Sequence, residues 1–210
     1  MSSRKIKLLA GNDSDGFEQL VRIYSESIVA AEQKAISQLR DMSQQDKYKF
    51  YIVEQGGKIE GFAIYCNMFN INCSLLEYMA VANRCRGMGV GTDLFNSSVA
   101  MQCVDVQYIL MEVDSEIADP SKDNIRRKKF YRNLSCKQFE GLAYIMPSLD
   151  KTLPPPMNLM IYTDIIPTFL DKHILSDWLA NIYADVYGMP ANDARIDLML
   201  ENLGERIDLI

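Results

Sequence analysis

Leu76-Glu77-Tyr78-Met79-Ala80-Val81, then Ala82-Asn83-Arg84-Cys85, then Arg86-Gly87-Met88-Gly89-Val90-Gly91-Thr92 is the stretch on which the reading of this chain turns. Leu75 to Val81 reads as a strand. From Val90 onward, Leu94, Phe95, Val99 and Cys103 recur on one helical face. The glycines between therefore join a strand to the N-terminus of a helix. There the first backbone N–H groups lack partners, and the helix dipole favours negative charge. Glycine lets the backbone curl around an anion with no side chain in the way. The segment reads as a phosphate cradle, with the N–H groups of Met88 to Thr92 and the Thr92 hydroxyl as donors, or as a plain glycine-rich turn. A dinucleotide fingerprint needs glycine where Thr92 stands, and a mononucleotide loop needs Gly-Lys-Ser/Thr; neither pattern is present.

Working outward, Lys5 to Ala10 is a first strand. Phe17, Leu20, Val21, Tyr24 and Ile28 mark an amphipathic helix, which Asp13 or Ser14 caps. A second helix is expected over Glu32 to Met42. Phe50 to Glu54, the turn Gln55-Gly56-Gly57 and Lys58 to Cys66 make a hairpin, its glycines supplying the positive φ of a tight turn. Val106 to Val113 is another strand, Asp123 to Leu134 a polar helix, and Met157 to Thr163 a last strand reached through the stiff Leu153-Pro154-Pro155-Pro156. After Thr163 the chain reads as wholly helical. Pro167 suits a first turn, Leu170, Ile174, Trp178, Ile182 and Val186 form a stripe, and Gly188 and Pro190 stop it. Ile196, Met199, Leu200 and Leu203 mark a final short helix. The organisation is a mixed α/β domain over residues 1–164, with an antiparallel hairpin in its sheet, and a helical C-terminal extension over 165–210.

Composition narrows the function classes. At 210 residues and 48% hydrophobic, the chain builds a core without disulfides or metal. A net charge of −6 argues against a nucleic-acid surface and is compatible with a cationic substrate. Five cysteines without a C-x-x-C pair, and a single histidine far from them, give no basis for a metal site. The N-terminus lacks an apolar signal core and no run reaches membrane-spanning length, so a soluble cytoplasmic protein without membrane contact is expected.

The strand, the short turn and Arg86-x-x-Gly89-x-Gly91 opening a helix resemble the cofactor motif of the GNAT superfamily of N-acetyltransferases. The family's next landmarks also have counterparts: a strand at Val106 to Val113, then a helix carrying Asn124 and, near its end, Phe130-Tyr131. The resemblance spans roughly residues 4–164. It departs at Asn83, where the family often has proline, and at Leu134-Ser135-Cys136-Lys137, where a Gly-Phe pair is usual.

What the resemblance implies is direct transfer of an acetyl group from acetyl-CoA to a primary amine of a small molecule or protein. Arg86, Gly87, Met88, Gly89, Val90, Gly91 and Thr92 would hold the pyrophosphate, with Asn124 a further cofactor contact. Met79, Ala80 and Val81 would pair their backbone with the pantetheine arm, one N–H polarising the thioester carbonyl. Tyr131 would donate a proton to the departing thiolate. For the base, alternation puts Glu77 on the face of Met79 and Val81, with Glu112 on the next strand as rival and ordered water as a third possibility. Arg126-Arg127-Lys128-Lys129 reads as a solvated helix face, or as the source of one phosphate contact. The methionines suit core packing, His173 is structural, Trp178 anchors the tail, and nothing marks Cys85 as a nucleophile. Two other readings stay open. The fold could bind acyl-CoA as a non-catalytic sensor, or the tail could be an interaction element, or one that makes a homodimer, attached to a vestigial catalytic domain.

Overall fold

Asp13 starts the first helix by accepting the Gly16 N–H at 2.9 Å, one of the orphan donors of a helix N-terminus. The computed structural model describes residues 4–117, 120–147, 156–165, 167 and 169–210; Leu153, Pro154 and Pro155 lie outside the described residues. The chain divides into two units, residues 1–67 with 76–105, and residues 68–75 with 106–210.

In the first unit β1 (Lys5–Leu8), β2 (Tyr48–Gln55), β3 (Lys58–Met68) and β4 (Cys73–Val81, of which Leu76–Val81 lie here) stand side by side in chain order. β1 and β3 both run antiparallel to β2. Gly56 and Gly57, at φ 58° and 76°, make the expected hairpin turn. One register shift falls between Val53 and Glu54 and leaves Glu60 as the extra residue of β3. α1 (Ser14–Ser27) lays Phe17, Leu20, Ile23 and Tyr24 into a core shared with Phe62 and Ile64 of β3. α3 (Val90–Gln102) buries Leu94, Phe95 and Val99, and its buried polar residues are bonded: Ser98 to the Tyr65 hydroxyl at 2.8 Å, Gln102 to the Tyr51 hydroxyl at 2.8 Å.

The expected helix over Glu32 to Met42 is broken. A single turn at Ala30–Glu32 is followed by extended backbone, and α2 spans only Ile36–Met42. The cause is competition for backbone groups. The Lys34 N–H donates to the Tyr24 hydroxyl at 2.7 Å, and the Glu32 carbonyl accepts from the Tyr78 hydroxyl at 2.9 Å. Two tyrosines thus take the partners that a continuous helix would have used internally.

In the second unit β5 (Tyr108–Asp114) pairs antiparallel with β7 (Met157–Tyr162), which pairs on its other side with the two-residue β6 (Lys137–Gln138). α4 (Lys122–Asn133) is capped by Ser121, which accepts the Asn124 N–H at 3.2 Å. The segment after Thr163 is not wholly helical. Phe169–Asp171, including the Leu170 assigned to a helix, forms β8 and pairs with β9 (Arg206–Asp208). The strand partner lies too far along the chain for local periodicity to reveal it. α5 (Lys172–Asn181) therefore begins after Asp171 rather than at Pro167, and it continues as a π-turn over Ile182–Val186. The buried face is Leu175, Trp178, Leu179, Ile182, Tyr183 and Val186, so Trp178, Ile182 and Val186 of the expected stripe lie on it and Ile174 is half-buried. Trp178 is the anchor expected of it, with the Tyr108 ring 4.9 Å and the Phe139 ring 6.4 Å away. Gly188, at φ 65°, ends the helix, and α6 (Ala194–Leu200) follows.

Gly61 on β3 is packed directly against the backbone of β4. A Cβ there would sit 2.9 Å from the Ala80 carbonyl oxygen of β4, and a backbone atom cannot step aside as a flexible side chain would. Gly61→Ala is expected to destabilise the protein by about 1–3 kcal/mol, as overpacking does. Urea denaturation measures this, and unchanged stability would show that β4 moves freely away from β3.

Candidate functional site

β4 and the loop after it carry one set of candidate residues, all in the first unit. Glu77, Met79, Ala80 and Val81 follow one another along the strand, and the chain turns through Asn83–Cys85 into Arg86–Gly89. Gly87 and Gly89 sit at φ 76° and 79°, in the left-handed region, and a Cβ at either would meet nothing within 4 Å. Gly89 is the N-cap of α3, a helix of 13 residues, and no side chain caps it. The only close backbone return is from Asp93 N–H to the Gly89 carbonyl at 3.0 Å among the described residues. These observations fit a phosphate: open space over two glycines, and a helix end whose donors no side chain has claimed. Arg86 directs its Nε toward the Val81 carbonyl at 3.4 Å and is otherwise exposed.

Glu77 is deeply buried, its side chain 3% exposed, and it is ion-paired through Oε2 with Lys34, 7% exposed. Its other oxygen, Oε1, has no hydrogen-bond partner among the described residues. The Lys34 ammonium also lies 5.9 Å from the centre of the Tyr78 ring, which meets the Tyr24 ring edge-on at 5.1 Å. Burial raises the Glu77 carboxyl above its ordinary value, against Lys34 and more distantly Lys47, which lower it. Sequence reasoning found Glu77 and missed Lys34, because nothing in a helix-like pattern marks one lysine for burial.

The second unit holds the other set. Asn124, Lys128 and Tyr131 fall on the buried face of α4. Burial raises the Tyr131 phenol well above its ordinary value, with Cys136 adding to the rise and Arg127 opposing it. The basic run divides. Arg126, Arg127 and Lys129 are exposed, as a solvated face requires, but Lys128 is buried and pairs with Glu116 at 2.7 Å. Glu112, the rival base, accepts hydrogen bonds from the Tyr144 hydroxyl and, at 2.6 Å, from the Tyr187 hydroxyl. Burial and the Glu112 charge push Tyr144 well above the usual phenol value. Glu112 is therefore engaged by the segment that follows β6 and by the C-terminal extension, partners that strand alternation does not reveal. Among the described residues no group of three histidine, cysteine, aspartate or glutamate side chains is placed to hold a metal ion, and no helix is long and apolar enough to cross a membrane.

Comparison with known proteins gives the class. Residues 46–134 match the family model of the acetyltransferase (GNAT) domain. Solved structures agree in fold. A GNAT-family protein from Bacteroides thetaiotaomicron superposes with a TM-score of 0.70 at 17% identity, over 88% of this chain and 99% of its own. The ribosomal-protein-S18-alanine N-acetyltransferase from Escherichia coli gives 0.57 at 17% identity, over 79% and 96%. An aminoglycoside 6'-N-acetyltransferase complexed with coenzyme A gives 0.58 at 15% identity, over 78% and 98%. No curated protein sequence is significantly similar to the chain. Residues 46–134 thus match the GNAT acetyltransferase domain, and the chain has the mixed α/β fold that the sequence resemblance implies.

The Glu77–Lys34 pair has a pH signature. A carboxyl raised on folding binds more protons in the folded state, so its stabilising contribution is present below the ordinary value of 4.5 and is lost as pH climbs through the raised one. Lys34 limits that loss. Lys34→Met, which leaves the buried carboxylate without its cation, is expected to cost about 3 kcal/mol near neutral pH. The cost shrinks as pH falls through the raised Glu77 value, where the carboxyl takes up a proton. Denaturation of both proteins across this range measures it. A penalty independent of pH would mean that Lys34 does not serve as the charge partner of Glu77.

Proposed function

We propose that the chain is a cytoplasmic N-acetyltransferase that moves an acetyl group from acetyl-CoA to a primary amine, with residues 1–164 as the transferase domain and 165–210 as its extension. The observation that carries this reading is the uncapped N-terminus of α3 behind two left-handed glycines with open space above them. It is supported by the match of residues 46–134, which include that loop, to the GNAT domain and by a fold relative complexed with coenzyme A.

In this reading the backbone N–H groups from Gly87 to Thr92 hold the pyrophosphate, with Arg86 adding charge, and Asn124 is a further contact to the acyl donor. Met79, Ala80 and Val81 pair with the pantetheine arm through their backbone. An N–H fixed there to meet the thioester carbonyl contributes about 3 kcal/mol to the barrier reduction. Glu77 takes the proton from the amine, its unpartnered Oε1 being the oxygen that accepts it, and a carboxyl raised above its usual value is the better base for that transfer. Tyr131, kept protonated by burial, gives a proton to the departing thiolate. Fold relatives act, by name, on the alanine of a ribosomal protein and on an aminoglycoside, so the acceptor is proposed as an amine of either size class. The net charge of −6 suits a cationic one.

The test is acetyl-CoA turnover, followed by free thiol release, over a panel of amines that includes peptides and amino sugars. Binding of acetyl-CoA without turnover on any amine would replace the enzyme with an acyl-CoA sensor. Tyr131→Phe is expected to lower kcat by roughly 10²–10⁴-fold with cofactor affinity nearly unchanged. An unaltered kcat, where chemistry limits turnover, removes Tyr131 from the mechanism. Glu77→Gln is expected to flatten the acidic limb of the kcat/KM profile, a limb placed above the ordinary carboxylate value by burial. A normal limb in that variant, with the loss appearing in Glu112→Gln, would hand the role to β5; a normal limb in both leaves deprotonation to solvent.

A further inference from the structure

The loop that carries the proposed function has a weak point, and the N-terminal segment meets it. Met88 stands between Gly87 and Gly89, both left-handed and both without any atom within 4 Å of where a Cβ would be. The Met88–Gly89 peptide turns about ψ of Met88 and φ of Gly89, and at Gly89 no Cβ opposes the turn. In a trans peptide the C=O and the next N–H point in opposite directions. Rotation of the Met88–Gly89 peptide therefore exchanges a donor for an acceptor. For an anion cradle this exchange is harmful, since a carbonyl turned toward the phosphate presents negative charge where an N–H is needed.

We propose that Arg4 is a positioning residue for the pyrophosphate loop, bridging Glu60 of β3 to the Met88 carbonyl and so fixing which way the Met88–Gly89 peptide faces. The proposal rests on the acyl-CoA reading above. Arg4 Nη1 donates to the Met88 carbonyl at 3.2 Å, and Nε donates to Glu60 Oε2 at 2.8 Å. The guanidinium is rigid and planar, so holding one edge on Glu60 aims the other at Met88. Glu60 is a firm anchor: its side chain is 13% exposed, and its own carbonyl accepts the Ala82 N–H at 2.8 Å, just beyond the end of β4. With the Met88 oxygen held on the Arg4 side, the Gly89 N–H is turned the opposite way and kept as a donor.

Arg4 answers a second problem at the same place. Asp93 lies in the first turn of α3, where a carboxylate competes with any anion drawn to the helix end, and Arg4 Nη1 stands 3.7 Å from it. The pair is solvent-exposed and weak as a source of stability. Its effect is to offset a negative charge beside the phosphate site.

The experiment compares acetyl-CoA with acetyl-pantetheine, which lacks the pyrophosphate and nucleotide. Arg4→Met is expected to weaken coenzyme A binding in calorimetry, and to raise KM for acetyl-CoA, by about tenfold. The kcat should stay near wild type, and kcat/KM with acetyl-pantetheine should be unchanged. Arg4→Lys should recover only part, since an ammonium lacks the fork that spans both acceptors. Should Arg4→Met fail to fold, Glu60→Gln loosens the anchor without touching the loop and is expected to shift coenzyme A affinity the same way by about threefold. Wild-type coenzyme A affinity in a folded Arg4→Met overturns the proposal, and so does an equal loss with both donors, which marks general damage. Wild-type protein that binds no coenzyme A is a different failure, that of the acyl-CoA reading itself.

Discussion

A carboxylate taken out of water must be answered by a positive charge or give up its own, and Glu77 on β4 imposes that condition on the first unit. Desolvating the ion costs several kcal/mol, and the gain from a partner repays this only when the partner is held in place. Lys34 is held. Its backbone N–H is bound by Tyr24, and the carbonyl two residues earlier is bound by Tyr78. Tyr24 in turn is fully buried against Phe62 in the core, so the position of the ammonium is set by hydrophobic packing. The break between the turn at Ala30–Glu32 and α2 is then a consequence rather than an irregularity. A continuous helix would have kept Lys34 N–H for itself and carried its side chain elsewhere.

The same strand depends on a second constraint of a different kind. Ala80 approaches β3 so closely that only glycine fits opposite it, at Gly61. Glu60, next to it, is the extra residue that a register shift leaves in β3. A bulge at that point bends the strand and gives Glu60 both a carbonyl for Ala82 and a carboxylate for Arg4. The end of β4 and the start of the loop are thus tied to one short stretch of β3 through sterics, backbone bonding and charge together.

How much of this was legible in sequence follows from the range of each interaction. The glycine loop could be read because strand, turn and helix start are consecutive and each has a local signature. Asp13 as a cap and Gly56-Gly57 as a turn are local in the same sense. The broken helix at Gln33–Ala35 could not be read, since its cause is a tyrosine hydroxyl from β4 competing for a backbone carbonyl. Nor could β8, whose partner β9 lies at the far end of the chain, or the π-turn over Ile182–Val186. At the candidate site the fold family named Tyr131 and the loop, and alternation named Glu77. Lys34, Arg4 and the tyrosines on Glu112 entered only with coordinates, because long-range pairing of one charged side chain leaves no periodic trace.

Burial acts on the two proposed proton-transfer groups in the same direction, and the consequence differs with their roles. At Tyr131 it disfavours the phenolate, so the proton stays available over the whole neutral range for a leaving group that needs one. At Glu77 it disfavours the carboxylate, which makes the group a stronger base than an exposed glutamate whenever it is ionised. The rise does not go unopposed. Lys34 sets the limit by favouring the charged form while occupying only Oε2. Desolvation supplies the basicity and the ion pair keeps it usable, so neither alone would suit a base working near neutrality.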